Sequence, residues 1–142
     1  MATDIRTSPS RPLVLFVDDD ADTREMYTLG LSCEGLDVLG ARDGTEAYRR
    51  ALESHPDAIV TDLSLPGTDG WALIGRLRHD LSTQHIPLVV LTGQGEPALR
   101  QRAQHEGCAA LVLKPCLPGE LAIELRQALA RSIAHQPGPA AN

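Results

Sequence analysis

Five short apolar runs alternate with five longer segments of helical periodicity, and that alternation leaves few folds open to the chain. The runs are LVLFV (13–17), DVLGA (37–41), DAIVTD (57–62), IPLVVLT (86–92) and AALVLK (109–114). Unbroken apolar stretches of this length read as strands buried on both faces, as in a parallel sheet. The helical segments are ADTREMYTLGLSCEG (21–35), GTEAYRRALESH (44–55), TDGWALIGRLRHD (68–80), EPALRQRAQHEG (96–107) and LPGELAIELRQALARSIA (117–134). Several carry their own boundary signals. Asp20 or Asp22 suits the cap of the first and Gly35 its end, Asp69 suits the cap of the third, and Pro97 the first turn of the fourth. Met26, Leu29 and Cys33 share a helical spacing and are expected in the core, while Ala47, Tyr48 and Ala51 share one side of the second helix. A (βα)5 alternation predicts an α/β fold with a parallel sheet and helices on both of its faces, and right-handed crossovers leave few topologies.

The sequence has 142 residues, enough for one such domain. The polar opening, residues 1–11, is read as a flexible leader, residues 12–134 as the domain, and HQPGPAAN (135–142) as a flexible tail. The leader has no apolar centre and is not a secretory signal. No apolar stretch reaches the ~20 residues of a membrane span. The net charge of −6 argues against nucleic acid or an anionic membrane as a direct partner. Cys33, Cys108 and Cys116 are odd in number and form no CxxC pair, so reduced thiols in a cytoplasmic protein are expected rather than a disulfide framework or a zinc site. The five histidines are scattered with no pair at metal spacing and are read as solvated. Trp71 is expected to pack half-buried at the start of the third helix, and Cys116 to be a small packed residue, with a reactive thiol as the other option.

Ligands of such folds bind outside the carboxyl ends of the strands. The first strand delivers Asp18 and Asp19 there, with Asp20 behind them. The third delivers Asp62, the fourth Thr92 with Gly93, and the fifth Lys114 followed by Pro115. Two carboxylates ~4 Å apart repel by roughly 4 kcal/mol at an effective dielectric of ~20, so a hard cation is needed to make the cluster tolerable. Mg²⁺ suits carboxylate and carbonyl oxygens and keeps several waters. A carboxylate that faces both a metal and a lysine can attack a phosphoryl group, and phosphoryl transfer asks mainly for positioning and charge neutralisation. Asp62 is the candidate nucleophile, because the Pro and Gly residues of LSLPGTDG shape a tight loop beside it.

Taken together, LVLFVDDD, GLDVLGARDGTEA, IVTDLSLPGTDG, PLVVLTG and LVLKP resemble, in order and spacing, the receiver domain of bacterial two-component response regulators, of the chemotaxis-receiver kind. The resemblance covers about residues 12–134. It implies a flavodoxin-like doubly wound fold with five parallel strands in order 2-1-3-4-5. It implies that Asp62 is the phosphoacceptor, Asp19 a direct Mg²⁺ ligand, Asp18 a ligand through metal-bound water, and the Ser64 carbonyl a backbone ligand. It assigns Thr92 and Lys114 to the phosphoryl oxygens and makes the Lys114–Pro115 bond cis. The sequence departs from the family where an aromatic usually stands on the fifth strand, which here is Leu111. Gly93 stands where Ala is frequent after the threonine, and Cys116 where Phe is frequent after Lys-Pro. Thr92, Gly93 and Leu111 therefore form the expected switch, without its ring.

The function implied is a stand-alone receiver that takes a phosphoryl group on Asp62 from a sensor histidine kinase or phosphotransfer protein, with Mg²⁺ as cofactor. Its chemistry is limited to self-catalysed phosphotransfer and autodephosphorylation, and it signals to a protein partner through the face made by helix four, strand five and helix five. Two other readings stand beside it: a receiver module of a longer hybrid kinase or multidomain regulator, and a pseudo-receiver that binds partners without phosphate. A haloacid dehalogenase-like phosphatase is disfavoured, because Asp22 occupies the Thr/Val place of that family's signature.

Overall fold

A computed structural model of the chain describes residues 11–67, 69–93 and 95–135. Most of the expected leader and tail, together with Thr68 and Gln94, lie outside the described residues. The elements are β1 (Leu13–Val17), α1 (Ala21–Cys33), β2 (Asp37–Ala41), α2 (Gly44–Ser54), β3 (Ala58–Thr61), α3 (Gly70–His79), β4 (Leu88–Thr92), α4 (Pro97–His105), β5 (Ala110–Leu113) and α5 (Pro118–His135). All strands are parallel, in the order β2-β1-β3-β4-β5, which is the doubly wound order expected. Leu15 pairs with Leu39 on one side and Ile59 on the other, and Val90 with Leu111.

The apolar runs are unbroken because both faces of the sheet are covered. Along β1 alternate residues go to opposite layers. Val14 and Phe16 pack with Leu31, Leu121 and Leu125 beneath α1 and α5, and Leu15 and Val17 pack with Leu73, Ile74 and Leu77 on the α3 side. Each fully buried leucine of this kind contributes about 2–5 kcal/mol when judged by truncation to alanine. The edge strand β5 is different: Ala110–Val112 are half-buried and Leu113 is exposed.

Helix starts follow their local chemistry. Asp20 Oδ2 accepts from the Thr23 N–H at 2.9 Å, Asp69 Oδ1 from Ala72 at 2.8 Å, and Pro97 opens α4. Three strands are shorter than the sequence predicts. Asp57 is drawn out of β3 because its carboxylate accepts from the Leu13 N–H at 2.7 Å, Pro87 has no N–H to continue β4, and Lys114 turns into the site. Arg11, the last residue of the expected leader, donates to Asp37 at 3.0 Å.

The core face of α1 corrects the sequence expectation. Met26 and Leu29 are 46% and 64% exposed and Cys33 is exposed; Tyr27 and Leu31 are buried instead. The two stripes lie about 100° apart on the helix, and both read as periodic. Packing selects the second, because the Tyr27 ring finds the Phe16 ring with centroids 4.8 Å apart and its hydroxyl finds a buried acceptor.

Candidate functional site

At the carboxyl edge of β1, the chain turns and buries Asp18, leaving it 3% exposed, while Asp19 and Asp20 face solvent. The buried carboxylate is fully engaged. Oδ1 accepts from the Asp20 N–H at 2.9 Å, and Oδ2 accepts from Lys114 Nζ at 3.1 Å. The Asp18 carbonyl in turn accepts from Arg24 Nη1 at 2.7 Å, which fixes the start of α1 to the strand end.

Asp62 leaves β3 beside it, with its N–H on the Val17 carbonyl at 3.2 Å. Its Oδ1 accepts from the Ser64 N–H at 3.1 Å, and its Oδ2 from Lys114 Nζ at 2.8 Å. The loop that follows closes tightly, with the Gly70 N–H on the Leu63 carbonyl at 2.8 Å. A Cβ at residue 70 would lie 2.5 Å from the Asp62 carbonyl oxygen and 2.6 Å from Leu63 Cα. Both contacts are with backbone, so only glycine lets α3 begin this close to Asp62.

Lys114 joins the two carboxylates. Its backbone N–H donates to the Thr92 carbonyl at 2.8 Å, and the bond that follows, Lys114–Pro115, is cis. Partial burial alone would pull the ammonium below its ordinary value. The hydrogen bonds to Asp62 and Asp18 outweigh it and hold the group above that value, so Lys114 is charged throughout the neutral range. Thr92 is 2% exposed at the end of β4, Gly93 is exposed beyond it, and Leu111 is half-buried on β5.

The structure therefore gathers Asp18, Asp62 and Lys114 through direct bonds, with Asp19, Ser64 and Thr92 on the adjoining strand ends. The donor chemistry fits a hard cation, since carboxylate and carbonyl oxygens line the rim. Among the described residues no group of three or more His, Cys, Asp or Glu side chains is placed to hold an ion unaided. A cation here would be held by few side chains, a carbonyl and water, which is the manner of Mg²⁺ rather than of a dedicated protein cage.

Sequence reasoning missed several participants. Arg24 and Tyr27 brace the site from α1, and Arg102 of α4 stacks on the Trp71 ring of α3, 4.4 Å from its centroid. A tyrosine on the second periodic stripe of α1 was the one available signal; the arginine contacts had none. Trp71 is half-buried and Cys116 buried, as expected. The described histidine side chains, at 55, 79, 85 and 105, are exposed. A groove of about 730 Å³ opens beside Lys114, with Met26, Tyr27, Cys116 and Leu117 among its walls.

A family model described as the response regulator receiver domain matches residues 14–126. The chain is 35% identical over 119 residues to the phosphate regulon transcriptional regulatory protein PhoB of Pseudomonas aeruginosa, a match covering 84% of this chain and 52% of that protein. It is 35% identical over 122 residues to the DNA-binding response regulator MtrA of Mycobacterium leprae, covering 86% and 53%. The chain thus spans about half the length of the curated relatives it matches. Among solved structures it resembles the chemotaxis response regulator CheY4 of Vibrio cholerae, with 28% identity, a TM-score of 0.78, and coverage of 84% of this chain and 99% of that one. A putative response regulator from Chloroflexus aurantiacus aligns at 35% identity with a TM-score of 0.79, covering 85% and 99%.

Proposed function

The chain belongs to the response regulator receiver-domain family, and from that premise we propose that it accepts a phosphoryl group on Asp62 from a sensor histidine kinase or phosphotransfer protein. The observation that carries the reading is Lys114 Nζ, 2.8 Å from Asp62 Oδ2 and 3.1 Å from Asp18 Oδ2. A fixed ammonium on the nucleophile's own oxygen is placed to meet the charge of an incoming phosphoryl group.

In the proposed step an Asp62 carboxylate oxygen attacks phosphorus. The new O–P bond forms as the P–N bond of a phosphohistidine breaks, and the imidazole leaves with its electron pair. Lys114 neutralises one phosphoryl oxygen and the Thr92 hydroxyl donates to another. Asp18 keeps Lys114 oriented and charged. Asp19, Asp62 and the Ser64 carbonyl would hold Mg²⁺, with Asp18 acting through water; when bound, the ion neutralises the acidic cluster and the phosphoryl charge. The groove beside Lys114 offers the donor an apolar landing at Met26 and Leu117. Water later attacks the acyl phosphate and restores Asp62.

Receiver domains are signalling modules, and we assign this one output through protein contacts on the face formed by α4, β5 and α5, within the cytoplasm. No helix among the described residues is long and apolar enough to cross a membrane. The relatives named as DNA-binding or transcriptional regulators are about twice as long as the matched region, which favours a second reading in which this receiver works as a module of a longer regulator.

The test is mass measurement after treatment with acetyl phosphate and Mg²⁺. The parent is expected to gain a phosphoryl adduct and Asp62→Asn to gain none. Full labelling of the Asn variant would reject Asp62 as acceptor.

A further inference from the structure

Tyr27 contacts the chain two residues away from each member of the ion pair at the site, through Phe16 and Cys116. It lies on α1 and is 3% exposed. Its ring stacks on Phe16 with an interplanar angle of 24°, and Phe16 stands two residues before Asp18 on β1. Its hydroxyl donates to the carbonyl of Cys116 in a buried hydrogen bond, and Cys116 stands two residues after Lys114. Asp18 and Lys114 are the partners that meet at 3.1 Å.

Lys114 needs such support. It leaves β5, the half-exposed edge of the sheet, where one flank has no neighbouring strand to fix it. Its own N–H is held by the Thr92 carbonyl at 2.8 Å on the β4 side. Downstream, the Tyr27–Cys116 bond holds the chain from the α1 side. Burial raises the phenol above its ordinary value, so the proton that makes the bond stays on Tyr27 across the neutral range.

We propose that Tyr27 is a positioning residue for phosphoryl transfer: its ring braces the strand that ends in Asp18, and its hydroxyl fixes the backbone just beyond Lys114, so that the ammonium rests on Asp62. This rests on the phosphoacceptor reading given above. Phenylalanine would keep the stack on Phe16 and remove only the hydroxyl, which makes Tyr27→Phe a narrow change. A side chain that acts through Lys114 should have nothing left to act on once Lys114 is gone.

The experiment measures the rate of adduct formation with acetyl phosphate and Mg²⁺, below the melting range of every variant. Tyr27→Phe is expected to slow labelling about tenfold, the size of one net hydrogen bond expressed as a rate. In a Lys114→Met background the same change is expected to have no further effect. Amide exchange at Lys114 and Cys116 is expected to quicken in Tyr27→Phe, a readout that holds even where Lys114→Met labels too slowly to compare. Equal slowing in both backgrounds would make Tyr27 merely structural, and an unchanged rate or unchanged exchange would remove the role altogether; each overturns the proposal alone. A parent that takes no adduct, or an Asp62→Asn variant that takes it in full, sinks the phosphoacceptor reading and the proposal with it.

Discussion

Single side chains in this domain differ most in how their protons are held. Asp80 shows it away from the site. Ser82 donates to its Oδ1 through both hydroxyl and N–H, at 2.6 and 2.9 Å, and the Tyr48 hydroxyl donates to Oδ2 at 2.5 Å. These bonds, the Ser82 hydroxyl first, hold the carboxyl down at about 2 against an ordinary 3.8. A folded value below the unfolded one means the stabilisation is complete above the unfolded value and is lost as pH falls from about 4 through about 2. Tyr48→Phe removes one of the donors, so the Asp80 carboxyl should titrate higher by carbon-detected NMR while staying below 3.8, since Ser82 still donates. An Asp80 titration unchanged in Tyr48→Phe would mean that the hydroxyl does not hold this carboxylate in solution.

Helix α4 buries only Ala103 and β5 buries none of its residues fully, and the proposed readout of phosphorylation depends on these two elements. Leu111 joins the core layer beneath α3 only partly and has no ring to move between solvent and interior. Leu111→Ala is therefore expected to cost about 1–2 kcal/mol, less than a fully buried leucine, and to leave activation intact. Thr92→Ala should separate phosphorylation from partner binding, measured as partner affinity with and without beryllofluoride. Loss of the activated state in Leu111→Ala alone would reverse that assignment. The Arg102–Trp71 stack gives α4 an optical report, so beryllofluoride should change Trp71 emission in the parent and much less in Arg102→Ala. How far these elements were legible in the sequence follows the range of their causes. Asp20, Asp69 and Pro97 act within one turn of chain, and their roles could be read locally, with Asp22 as the alternative to Asp20 that the structure decides. The strand-end residues Asp18, Asp62 and Lys114 could be placed because parallel topology carries every strand's end to one edge. The choice between the Met26 and Tyr27 stripes could not, because periodicity allows both and the deciding contacts, with Phe16 and with a carbonyl 89 residues away, are made only in the folded chain.

For the whole molecule, the acidic edge sets stability against function. Asp18, Asp19 and Asp62 stand on adjoining strand ends, and among the described residues Lys114 is the one ammonium bonded to two of them. Without a divalent cation the repulsion is a standing cost to the native state that the unfolded chain escapes. Under the proposed Mg²⁺ binding the balance would reverse, because an ion that binds only the folded form stabilises it by about 2.7 kcal/mol at a hundred times its dissociation constant. That corresponds to roughly 8 °C in melting temperature for a domain of this size. Asp19→Asn removes one exposed charge and disturbs no core contact. It should melt above the parent in chelator and below it in saturating Mg²⁺, so that the two melting curves exchange order as the ion is added. Differential scanning calorimetry of both proteins at several Mg²⁺ concentrations reads this directly. A parent whose melting temperature is indifferent to Mg²⁺, or an Asn variant that gains as much from the ion as the parent, would remove Asp19 from the proposed ligand set.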